Sequence, residues 1–220
     1  MAEELIVASY PVFVALPERL EEAERDVAAK EAQELIDNAA VELRGAYHLT
    51  GLRAGADLML WLVADSLDVA QEAIASFLRT RLGRALRLTD VLTGIVRPAE
   101  FTPDHLPAFV KGAAPKRYVS VYPFVRTPDW YLLDPSERAA LLREHGEAGR
   151  AFPDVLPNTT SAFGLNDYEW ILAFEADSPE RIVELIRALR ATEARRYTKT
   201  EVPFYAGIRK ELSAIVAELP

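Results

Sequence analysis

Residues 164–178 read GLNDYEWILAFEADS, and residues 51–66 read GLRAGADLMLWLVADS. Each starts at a Gly-Leu turn, runs through an apolar strand and stops at Asp-Ser, a signal for a helix N-cap. Asp65-Ser66 and Asp177-Ser178 stand 112 positions apart. Upstream, VASYPVFVALP from Val7 and VSVYPFVRTPD from Val119 repeat a second strand, with Tyr10-Pro11 and Tyr122-Pro123 again 112 positions apart. Two landmarks in one order at one offset indicate an internal duplication.

Working outward, the second copy predicts a strand over 118–125, a helix over 134–152, and strands near 158–163 and 168–175. A helix capped by Ser178 and a strand near 201–206 complete it. The first copy predicts a strand over 5–14, a helix over 17–38, a hairpin through 41–64, a helix over 66–80 and a strand over 88–96. This βαββαβ order is the ferredoxin-like pattern, so the chain is expected to be α+β, with two sheets that pair edge to edge or curl into a barrel. The expected domains are an N-terminal repeat over 1–97, a connecting loop over 98–117 and a C-terminal repeat over 118–220. The loop carries Pro98, Pro103, Pro107 and Pro115, and irregular connections of that length are commonly functional.

A formal net charge of −9 argues against a nucleic-acid partner. No apolar run is long enough to span a bilayer, and MAEELIVASYPVF lacks the basic region of a signal peptide, so a cytoplasmic address is expected. The chain has no cysteine, which excludes disulfides, zinc ribbons, iron–sulfur clusters and thiolate ligation. Three histidines remain, His48, His105 and His145. A metal held here would depend mostly on one of them.

A duplicated scaffold is its own control, because what occurs in one copy alone is a candidate for chemistry. Arg126 corresponds to Val14, and Trp130 to Glu18. The helix DPSERAALLREHGEAGRAF, residues 134–152, has Asp134 to cap it, Pro135 at N1 and Glu137 at N3. Its apolar stripe is expected to be Leu141, Leu142, His145, Ala148 or Gly149, and Phe152. His145 thus lies on the buried side with Gly146 and Gly149 beside it, which suggests a shallow slot for a flat ligand coordinated by imidazole. The alternative is an ordinary core histidine bonded to a carbonyl.

SVYPFVRTPDWYLL (120–133), REHGEAGR (143–150), NTTSAFGLNDYEWILAFEAD (158–177) and LRATEARRY (189–197) followed by PFYAGIR (203–209) resemble the chlorite-dismutase-like superfamily. They are most similar to its coproheme-decarboxylating branch, in which the distal group is a histidine. The resemblance implies tandem ferredoxin-like repeats forming a dimeric α+β barrel within one chain, assembled as a homopentamer. It implies hydrogen-peroxide-dependent decarboxylation of two propionates of iron-coproporphyrin III (coproheme) to give haem b, with an upstream ferrochelatase as partner. On the matching positions, His145 is the proximal iron ligand, Tyr122 the catalytic tyrosine and His105 the distal base. Arg126 and Arg196, with Arg195 beside it, bind propionates, and Trp130 shares the oxidising equivalent. Ala194 takes the distal position that an arginine holds in chlorite-decomposing members. The rival expectations are a peroxidase or chlorite-decomposing enzyme on the same scaffold, and a non-catalytic haem carrier.

Overall fold

The strand after each Gly-Leu turn lies inside a sheet, as its apolar run requires. Gly51 and Gly164 hold the two turns at φ +80° and +74°, a left-handed backbone that favours glycine. The structure is a computed structural model that describes residues 5–16, 19–98 and 106–220. It divides into two units, residues 1–96 with 206–220 and residues 97–205.

In the first unit the elements are β1 (Val7–Ala15), α1 (Arg25–Asn38), β2 (Glu42–His48), β3 (Leu58–Ala64), α2 (Leu67–Arg79), α3 (Arg81–Arg84) and β4 (Leu86–Ile95). The strands run β4-β1-β3-β2, all antiparallel, with Ser9 opposite both Leu62 and Thr93. A later strand, Tyr205–Lys210, adds to β2 through Ala46↔Lys210 and His48↔Ile208, and a short helix follows at Leu212–Ala217. Phe13, Leu58, Leu60 and Leu62 pack against Ala28, Ala32, Ile36 and Phe77 of the helices and against Leu212 and Ile215. The Phe13 and Phe77 rings lie 5.1 Å apart; truncating either to alanine removes about 3–5 kcal/mol. Arg25 donates to the carbonyls of Ala217 (3.0 Å) and Leu219 (2.8 Å), so a cation closes the last helical turn where the helix dipole is negative.

The second unit contains β5 (Tyr118–Arg126), α4 (Pro128–Leu132), α5 (Pro135–Gly149), β6 (Leu156–Ser161), β7 (Trp170–Ala176), α6 (Pro179–Arg190) and β8 (Thr198–Thr200). The strand at 205–210 is therefore β9 and the helix at 212–217 is α7. The unit's sheet pairs β6 with β7, β7 with β5, and β5 with β8, again antiparallel. With β8 in the fourth place, this is the same strand arrangement as in the first unit. Tyr122, Phe174 and Val155 pack against Ile182 and Leu185 of α6. Arg181 holds Asp154 through two bonds of 2.8 Å while its guanidinium lies 4.8 Å from the Phe152 ring, fastening the α5–β6 connection to α6. The connecting segment is tied to the sheet from Ala108 onward, whose N–H donates to Pro157 O (3.1 Å). Phe109 N–H donates to Asn158 Oδ1 (2.9 Å), and Lys116 N–H donates to Glu175 Oε2 (3.1 Å). Asn158 and Glu175 are themselves fully buried and bonded to each other.

Four local expectations change. The strand expected over 201–206 appears as β8 and β9 on either side of Pro203, because proline has no N–H to give a ladder. The helix expected over 17–38 starts at Arg25, after a 3₁₀ turn over Glu22–Glu24; Pro17 and Glu18 lie outside the described residues. Ser66 caps α2 by accepting from Val69 N–H at 3.2 Å, whereas Ser178 occupies the N-cap position of α6 without a capping bond. The stripe of α5 falls on the expected residues, yet none of them is fully buried. That helix rests on α6 and on the 3₁₀ turn Glu193–Tyr197 and leaves much of its apolar side open.

Candidate active site

Alternation along β5 sends Tyr122, Phe124 and Arg126 to one face. Tyr122 is 4% exposed and stacks on Phe204, with centroids 4.4 Å apart at 28°. Burial, reinforced by the negative charge of Glu201, pushes its phenol well above the ordinary tyrosine range. Arg126 lies over two rings, 4.7 Å from Phe124 and 4.1 Å from Trp130, and its Nη1 donates to Ala194 O at 2.9 Å. Its backbone N–H donates to Glu169 Oε2 (2.7 Å), which also accepts the Tyr131 hydroxyl (2.6 Å). Burial lowers the Arg126 guanidinium to about 10, which leaves it charged at neutral pH.

His145 sits in the last third of α5 and is half-buried. Burial, and then the positive charge of Arg126, bring its imidazole down to about 4, so at pH 7 the ring is neutral and can act as a ligand. Its Nδ1 is 3.4 Å from Thr192 Oγ1. Neither neighbouring glycine is demanded by protein packing. A Cβ on Gly146 would meet nothing within 4 Å, and one on Gly149 would make ordinary contact with Leu189 at 3.8 Å.

The group's electrostatic centre is Glu201, which was not singled out in the sequence. Its carboxylate is bonded by Arg190 (2.8 Å) and by Arg195, and its charge acts on Tyr122, Arg126 and His145 alike. Arg190 also lies 5.9 Å from the Phe204 ring that stacks on Tyr122. The excess of arginine over acid in LRATEARRY was the available signal, since those cations pair with a carboxylate that is itself nearly buried.

The other expected residues fall as follows. Arg195 joins the group through Glu201, while Arg196 is exposed and pairs with Glu193. Trp130 is buried against Arg126 and Tyr197, 5.6 Å between centroids for the latter; among the described contacts none joins it to Tyr122. Ala194 is 1% exposed and accepts Arg126 through its carbonyl. It lies two residues beyond Thr192, whose hydroxyl is 3.4 Å from His145 Nδ1. His105 lies outside the described residues. Among the described residues no cluster of three or more His, Asp or Glu could hold a bare metal ion, and no helix is long and apolar enough to cross a membrane.

A neutral imidazole on an open apolar helix face, with a fixed guanidinium and a buried phenol near one carboxylate, suits an iron porphyrin that carries acidic side chains. Comparison with known proteins agrees. The chlorite dismutase family model matches residues 25–210, and the chain belongs to that family. A coproheme decarboxylase from Mycolicibacterium smegmatis is 46% identical over 214 residues, 96% of this chain and 93% of the relative. Another from Thermus thermophilus is 27% identical over 175 residues, 74% and 70% of the two chains. A solved structure of a chlorite dismutase variant from Candidatus Nitrospira defluvii matches with TM-score 0.87 at 25% identity, over 97% of this chain and 95% of that one.

Proposed function

We propose that this chain is a coproheme decarboxylase that acts in haem biosynthesis. The observation that carries the reading is His145, a neutral imidazole on a half-open helix face within the field of Arg126. The 46% identical relative supports it. The substrate is iron-coproporphyrin III, the product haem b and the oxidant hydrogen peroxide. For each propionate the balance is R–CH₂CH₂–COOH + H₂O₂ → R–CH=CH₂ + CO₂ + 2 H₂O.

Bound coproheme supplies the redox-active iron; the protein holds it and directs the oxidation. His145 provides the axial nitrogen. Arg126, stiffened between two rings, offers a planar donor fork to a propionate; Arg195, bonded to Glu201, is a further cation of that group, and Arg196 is assigned to a propionate from the sequence resemblance alone. His105 is assigned from the sequence resemblance as the base that takes a proton from peroxide. Tyr122 cannot ionise at neutral pH, because burial and Glu201 both oppose a phenolate. It therefore loses its electron and proton together, and the neutral tyrosyl radical takes a hydrogen atom from the propionate CH₂ bonded directly to the porphyrin ring. Carbon dioxide leaves as the second oxidising equivalent removes the remaining electron, and the phenol is restored. Trp130 holds Arg126 in place; a share in the oxidising equivalent is the lesser part of its assignment. Assembly as a homopentamer in the cytoplasm, supplied by a ferrochelatase, completes the proposal.

The test is to load the protein with coproheme, titrate hydrogen peroxide and follow the porphyrin by mass. Two successive losses, through a three-propionate species to haem b, are expected. Bound coproheme with no loss of mass would leave a haem carrier or a peroxidase instead.

A further inference from the structure

The ring nitrogen of His145 that does not bind metal has a specific neighbour. Thr192 is buried at the start of the Glu193–Tyr197 turn. Its hydroxyl donates to Leu189 O, at the C-terminal end of α6, at 2.8 Å. A hydroxyl has one hydrogen, so toward His145 Nδ1, 3.4 Å away, Thr192 Oγ1 can only accept. In a neutral imidazole the nitrogen that donates carries the ring's single proton, and the other keeps the lone pair.

We propose that Thr192 is a positioning residue for the iron site: its hydroxyl accepts the Nδ1–H of His145 and thereby leaves Nε2 as the lone-pair nitrogen available to the iron. This rests on the reading of His145 as the axial ligand.

The surrounding carboxylates are engaged elsewhere. Glu144 accepts the backbone N–H of Glu193 (3.3 Å), Glu193 pairs with Arg196, and Glu201 is bonded by Arg190 and Arg195. The imidazole is therefore turned by a neutral acceptor at long range, not by an anion. An anionic partner would draw the Nδ1 proton and make the ring a stronger donor to iron. A hydroxyl fixes the tautomer without that push, so iron held by Nε2 would keep a higher reduction potential than with an anionic partner.

The experiment uses Thr192→Val, Thr192→Ser and Thr192→Asp. In the metal-free protein, long-range proton–nitrogen NMR reads the tautomer of His145, assigned with His145→Gln among only three histidines. Wild type and Thr192→Ser are expected to carry the proton on Nδ1, and Thr192→Val to shift population toward Nε2–H. In the ferrous coproheme complex, the iron–imidazole stretching band is expected to fall in Thr192→Val, return in Thr192→Ser and rise in Thr192→Asp, with a lowered reduction potential in the last. A wild-type imidazole protonated on Nε2, or a Thr192→Val protein identical to wild type in both spectra, overturns the proposal. A wild-type complex lacking the band overturns iron ligation by His145, while the metal-free NMR still decides the tautomer.

Discussion

Replacing Tyr122 by phenylalanine separates chemistry from packing because the structure places so little of the fold's stability on the hydroxyl. The ring's stack on Phe204 at 4.4 Å and its contact with Phe174 at 6.1 Å both survive the change. Among the described residues no hydrogen bond to the hydroxyl is found, so the loss is below the ~1 kcal/mol of a typical hydrogen bond. In a chain of this size that is a shift in Tm of less than about 4 °C. Coproheme should still bind, since neither His145 nor Arg126 is touched. Turnover, by contrast, loses its hydrogen-atom acceptor. A fall of about a thousandfold or more is expected, equivalent to about 4 kcal/mol in the barrier. The assay pairs thermal unfolding of the metal-free protein with single-turnover mass analysis of the porphyrin after a peroxide pulse. A variant that keeps its Tm and more than about a tenth of wild-type turnover, a barrier change under about 1.4 kcal/mol, would refute the relay assignment.

Arg126→Lys keeps the charge but loses the planar contact with Trp130 and Phe124; coproheme affinity, followed by Soret titration, should fall about tenfold, or ~1.4 kcal/mol, and unchanged affinity would show that the clamp does not matter to binding. Gly146→Ala should stabilise the metal-free protein by about 1 kcal/mol, because the position is helical and its Cβ meets nothing. The same change should weaken coproheme binding, and equal affinity would remove that surface from the proposed slot. His145 lies at about 4, below its unfolded value of about 6.5. Between those two pH values the unfolded chain holds a proton that the folded one does not, so the stability tied to this group is complete above ~6.5 and lost as pH falls toward 4. Denaturant unfolding of the metal-free protein at pH 7 and 4.5 should show a drop that His145→Gln reduces, and an equal drop in both would place the acid sensitivity elsewhere.

The duplication was enough to read both sheets, because a two-residue period and a repeated offset are properties of the string. His145 on the inner stripe of α5, and Tyr122 and Arg126 on one face of β5, follow from the same periodicities. The arginines after Leu189 do not. Their fate is set by the Glu193–Tyr197 turn, where residues three apart eclipse; Arg196 therefore meets Glu193 at the surface, and Arg195 is left to reach Glu201. A 3₁₀ phase of five residues leaves no repeating pattern to detect. Glu201 and Thr192 were missed for a related reason. Each matters through partners far along the chain or through the direction of one hydroxyl hydrogen, and neither is written in spacing.

The first unit is discontinuous, with residues 206–220 completing what residues 1–96 begin, while residues 97–205 form one unbroken stretch. During synthesis the ribosome emits the β1–β4 segment first, yet α7 and the carbonyls that Arg25 grips do not yet exist. The later-made unit, with Tyr122, Arg126 and His145, has all its residues before the earlier-started one can close. Domains made from continuous chain usually fold in the order they emerge; here the unit that starts first is the last to have all its residues. A truncated chain ending at residue 205 and free of the ribosome should protect α6 and β7 from proteolysis while α1 stays open to it.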